Sequence, residues 1–106
     1  MPQEIDSRLL CKRWLHSYEE DTAEQIVFRP ASFNFPPARG RDGFELRPDQ
    51  SMMELRIGPT DRIEEVPGKW RLDHGDRLLF YEQSSSNPTR AMQIMSADQD
   101  RLVIKK

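Results

Sequence analysis

Apolar and polar residues alternate in short runs along most of this chain, and each run stops at a cluster of turn-forming residues. Alternation with a period of two places every second side chain on the same face of a strand. Trp14, His16 and Tyr18 alternate with Arg13, Leu15 and Ser17, and Ile26 and Phe28 alternate with Gln25, Val27 and Arg29 before Pro30. Phe44 and Leu46, then Met53, Leu55 and Ile57, flank Pro48-Asp49-Gln50-Ser51, which predicts a β-hairpin over residues 43–57. Residues 62–66 and 69–73 flank Pro67-Gly68 and predict one long strand bent at that pair, because Pro and Gly inside strands mark edges and bulges. Leu78 with Phe80, Met92 with Ile94, and Leu102 with Ile104 predict three further strands. Their connections are His74-Gly75-Asp76, the polar stretch 83–89 and Asp98-Gln99-Asp100. Ahead of the first strand, residues 4–11 predict one or two helical turns with Ile5, Leu9 and Leu10 on one side and Asp6 or Ser7 as the cap. The stretch from residue 30 to residue 42 breaks the rhythm, and a connection of that length usually packs with its own side chains or has a role.

The pattern therefore predicts an all-β chain of eight antiparallel strands behind a short helical turn. Sequential strands usually lie side by side, so an up-and-down order is expected. A sheet of this size closes into a barrel to remove its exposed edges. In an eight-stranded barrel the inward side chains either fill the interior or leave room for one small ligand. With 106 residues the chain holds one domain, residues 1–106. Five Phe, two Trp and two Tyr supply enough burial to argue against disorder, although 32% of the residues are charged.

Gly68-Lys69-Trp70-Arg71-Leu72-Asp73, followed by Arg77-Leu78-Leu79-Phe80, is the most distinctive segment. This G-x-W strand, with its turn and apolar strand, resembles the small lipocalin-like (calycin-type) and avidin-like barrels over residues 60–105. The resemblance implies an up-and-down barrel with a ligand cavity in its mouth. Read without it, Trp70 is a large aromatic that plugs the end of a barrel core.

Charge and chemistry narrow the functional classes. The 18 acids and 16 bases give a net charge of −2, which exerts no general pull on nucleic acid or on an anionic membrane. Nucleic acid is therefore not an expected partner, although Phe33, Phe35, Arg39 and Arg41 form the kind of aromatic and basic cluster that single strands use. No apolar run is long enough to span a bilayer, and the first residues lack the basic and apolar regions of a signal peptide, so a cytoplasmic protein is expected. Cys11 is the single cysteine, and neither His16 nor His74 has a partner at metal-ligand spacing. No cofactor loop is visible, so neither metal nor cofactor is expected. Arg39-Gly40-Arg41-Asp42-Gly43 has two readings. Its guanidinium groups form an anion site, or one of them pairs with Glu19, Glu20 or Asp61 to fasten the long connection.

The leading expectation is non-enzymatic binding of a small apolar or amphipathic ligand in the barrel mouth. Trp14, Tyr18, Phe28, Phe44, Leu55, Trp70 and Phe80 are the inward candidates, with Arg39 and Arg41 beside them. A protein partner or a second copy, meeting a filled barrel through an edge strand or the loop at Phe33-Asn34-Phe35-Pro36-Pro37, is the alternative. An enzyme acting on a small anion through Arg39 and Arg41 is the third.

Overall fold

The alternating runs become strands, and the strands close on one another. The computed structural model describes residues 5–37, 40–60 and 62–106. A four-residue helix, α1 (Ser7–Leu10), opens the described chain, and the Asp6 side chain caps it by accepting from the Arg8 N–H at 3.0 Å. Eight strands follow: β1 (Arg13–His16), β2 (Gln25–Pro30), β3 (Gly43–Leu46), β4 (Ser51–Ile57), β5 (Ile63–Asp73), β6 (Arg77–Glu82), β7 (Pro88–Ala97) and β8 (Leu102–Lys105). A single 3₁₀ turn at Tyr18–Glu20 lies between β1 and β2.

The strands form a closed antiparallel barrel in the order β1-β2-β8-β7-β6-β5-β4-β3. From β3 to β8 the chain is an uninterrupted meander. At the seam, β1 lies between β2 and β3 and pairs with both. Pro67-Gly68 lies inside the continuous β5, so residues 63–66 and 69–73 belong to one strand, as expected. Pairing between β5 and β6 begins only at Gly68, so the Pro67 nitrogen faces no β6 partner there. Above that point β5 pairs with β4 alone, and the tip of this hairpin projects with Ile57 47% and Ile63 41% exposed.

Register decides which side chains point inward. Phe44, Glu54 and Val66 are consecutive cross-strand partners, as are Trp70, Phe80 and Arg90, and so are Leu72, Leu78 and Met92. Cross-strand partners share a face, so each row lines the interior. Trp14, Phe28, Phe44, Trp70 and Phe80 belong to the core as expected. Leu55 does not face inward. Its partner is Gly43, next to inward Phe44, and Leu15, Gly43, Leu55 and Glu65 form an outer row. On β4 the more apolar phase (Met53, Leu55, Ile57) faces out and the polar phase (Met52, Glu54, Arg56) faces in, so apolarity alone points to the wrong face. Leu55 is nonetheless only 2% exposed. Tyr18 also departs from expectation: β1 ends at His16, the alternation stops there, and Tyr18 stands 43% exposed in the 3₁₀ turn.

The two tryptophans close the end of the barrel nearest α1. Trp14 Nε1 donates to the Leu10 carbonyl at 3.1 Å, and Trp70 Nε1 donates to the Arg47 carbonyl at 2.8 Å. Each ring thereby fixes a piece of chain, α1 in one case and the β3–β4 turn in the other. Leu10 and Ile5 are buried with them, and the Ile5 N–H donates to Gly75 O in the β5–β6 turn at 2.8 Å. The tight turn there has His74 and Gly75 at φ 53° and 81°.

Gly43 is the closest backbone approach in the seam. A Cβ on it would overlap the Trp14 carbonyl oxygen and crowd Leu15 Cα at 3.0 Å. Gly43→Ala should therefore cost about 3 kcal/mol, the upper range for forcing extra volume into a packed site. Urea denaturation measures this, and an unchanged midpoint would contradict the close seam.

Candidate functional site in the barrel mouth

The end of the barrel opposite the tryptophans is floored by rings. His16 and Phe28 have centroids 5.4 Å apart, Phe28 and Phe44 4.9 Å, and Phe44 and Phe80 5.1 Å. These residues come from β1, β2, β3 and β6, so the row crosses the barrel from wall to wall. Below it the interior is filled. Above it lies a pocket of about 310 Å³ lined by Phe28 and Phe44 and by the charged residues Asp42, Glu54, Arg56 and Arg90.

Each charged group reaches the mouth for a local reason. Glu54 and Arg56 follow Met52 at two-residue steps and share its inward phase. Glu54 is buried to 8% exposure, and its carboxylate accepts from Arg56 Nε at 2.9 Å, which offsets the cost of burying the charge. The same bond, ahead of the Coulombic attraction of Glu54, raises the Arg56 pKa above its usual value. Arg90 precedes core residues Met92 and Ile94 in the same phase, and its guanidinium lies 5.9 Å from the Phe80 ring centroid. His16 sits between two carboxylates, with Nε2 2.7 Å from Asp21 and Nδ1 3.2 Å from Asp42.

Arg41 lies elsewhere. Its guanidinium donates to both oxygens of Glu19, to His16 O at 3.0 Å and to Pro36 O at 2.9 Å. The Tyr18 and Phe35 rings lie against it at 4.7 and 4.5 Å, and the side chain is 6% exposed. This is the fastening role: the residue binds the connection between β2 and β3 to the β1–β2 turn. Arg29 forms a parallel fastening, donating to both oxygens of Glu20 at 2.8 and 2.7 Å with the Phe33 ring 4.6 Å away. Phe33 and Phe35 meet edge to face at 5.0 Å, so the aromatics of this connection pack against its own side chains. Arg39 and Asp61 lie outside the described residues. A second cleft, of about 570 Å³, lies on the outer wall between this connection and the row at Leu15 and Leu55.

Of the candidates expected from sequence, Phe28, Phe44 and Leu55 line the pocket, and Phe80 packs against Phe44 in the floor beneath it. Trp14 and Trp70 do not line it, and Leu55, although it lines the pocket, has its register in the outer row. Among the described residues no group of three or more His, Cys, Asp or Glu could hold a metal ion, and no helix is long and apolar enough to cross a membrane. No protein-family model, curated protein or solved structure matches the chain.

The fastenings are sensitive to acid. The bond from Arg41 lowers the Glu19 pKa from 4.5 to about 2, and the bond from Arg29 does the same for Glu20. Folded-state values below unfolded ones mean that the unfolded chain binds more protons between these limits. Both contributions are complete above pH 4.5 and are lost as the pH falls toward about 2. The urea midpoint should fall across this window, and the fall should be shallower in the E19Q/E20Q double variant. An equal slope in the two proteins would contradict the assignment.

Proposed function

We propose that the protein binds a small amphipathic molecule in the barrel mouth, with an apolar body on the Phe28 and Phe44 rings and a polar end against the charged wall. The observation that carries this reading is the open pocket above a continuous aromatic floor. The pocket is near the lower end of the usual range for ligand sites, roughly 300–1,000 Å³, so its size matches a molecule of one ring with a short substituent. Polar groups in inward positions support the same reading. A barrel that only had to pack itself would favour an apolar residue at the buried position 54, where this chain has Glu. The general resemblance to lipocalin-like barrels is consistent with a mouth site.

The two other readings have less support. Arg41 is engaged by Glu19, which leaves an enzymatic anion site at residues 39–41 without its described guanidinium. Phe33 and Phe35 face the guanidinium groups of Arg29 and Arg41, which leaves the loop reading of a protein partner without projecting rings.

A neutral aromatic probe tests the reading. Titration of the ¹⁵N-labelled protein with benzyl alcohol should shift the amides of Phe28, Asp42, Phe44, Glu54, Arg56 and Arg90 in a saturable manner. Amides beside Trp14 and Trp70 should stay still. Shifts confined to the outer wall around Leu15 and Phe35, or no saturable shift at millimolar probe, would refute it.

A further inference from the structure

Resting on the mouth as the binding site, we propose that the polar end of the ligand is a single carboxylate and that Arg90 is the residue that selects it. The charges lining the pocket are not equally satisfied. Glu54 is matched by Arg56 at 2.9 Å, whereas Arg90 is not held in this way. Arg90 meets no carboxylate among the described residues. Its described neighbour is the Phe80 ring, which supports the guanidinium at the edge of the aromatic floor. Of the two guanidinium groups lining the pocket, Arg56 is therefore held by Glu54, and Arg90 is the one left to meet an entering anion.

Geometry and surroundings narrow the anion. A guanidinium presents two parallel N–H groups that match the two oxygens of a carboxylate, and an ammonium would not offer that fork. Glu64 and Glu82 stand close enough to Arg56 to act on its charge, so carboxylates lie near the mouth. Nearby carboxylates oppose a second negative charge and disfavour a phosphate dianion. The floor of Phe28 and Phe44 requires an apolar body next to the charge. The ligand class is thus a small monocarboxylic acid with an aromatic or branched apolar body.

The test is calorimetric titration of the whole chain with 3-phenylpropionate, its neutral amide and phenyl phosphate. The carboxylate should bind about tenfold more tightly than the amide, a difference of about 1.4 kcal/mol. Phenyl phosphate should bind no more tightly than the carboxylate. Arg90→Gln should bring carboxylate binding down to the level of the amide, and so remove the preference, while the urea midpoint stays unchanged. Equal binding of acid and amide, a preference that survives Arg90→Gln, or tighter binding of the phosphate would overturn the role of Arg90 or the ligand class. In those outcomes amide binding persists and the mouth remains a binding site. If neither acid nor amide binds, the mouth reading fails together with this one.

Discussion

The barrel closes on β1, a strand of four residues that must hold β2 on one edge and β3 on the other. The chain leaves β2 at one end of the barrel and enters β3 at the other, because both run antiparallel to the strand between them. A long connection past β1 follows from that arrangement. So does the close seam at Gly43, where a side chain would strike the backbone of β1. The Arg41–Glu19 and Arg29–Glu20 pairs fix the connection and the adjoining turn to the wall. Each guanidinium is braced by rings and bonded to both oxygens of its carboxylate, a geometry with more specificity than an ordinary surface ion pair.

Closure leaves an interior to fill, and the chain fills it unevenly. At one end, Trp14 and Trp70 combine large apolar area with an indole N–H that finds a backbone carbonyl, so bulk and polarity are both satisfied. Among the described residues no buried side-chain nitrogen or oxygen lacks a partner. Across the middle, the rings of Phe28, Phe44 and Phe80 meet in tilted and edge-to-face contacts, each worth about 1 kcal/mol beyond burial. Beyond them the inward positions carry Glu54, Arg56 and Arg90. The same strands thus run from apolar to charged along their length, and the change of character marks where a packed core becomes a wall facing a pocket.

Much of this was legible in the chain. Alternation located eight strands, and the two runs flanking Pro67-Gly68 read as a single strand. Asp6 or Ser7 was the expected cap of the first turn, and Asp6 fills that role, while Trp14 and Trp70 were the expected plugs. The placement of β1 between β2 and β3 was not legible, since no local pattern encodes a long-range neighbour. The phase of β4 was misleading for a physical reason: its more apolar residues, Met53, Leu55 and Ile57, face outward, while the mouth takes its charged ones. The signal for the mouth was present even so. Arg90 lies two residues before Met92 and four before Ile94, and Glu54 lies two after Met52, so both are in step with core residues. A charge in step with the core is the local mark of a lined cavity, and the apolar pattern alone does not reveal it. Arg41 was legible as either anion site or fastener, and only the position of Glu19 separates the two.

The central claim is that the aromatic row divides the barrel into a solid base and a binding mouth. A crystal structure of the protein grown with 3-phenylpropionate tests this most directly. The phenyl ring should rest on Phe28 and Phe44, with the carboxylate within hydrogen-bond distance of the Arg90 guanidinium and no added density between Trp14 and Trp70. A ligand lodged among the tryptophans, or bound only on the outer wall beside Leu15 and Phe35, would contradict the division.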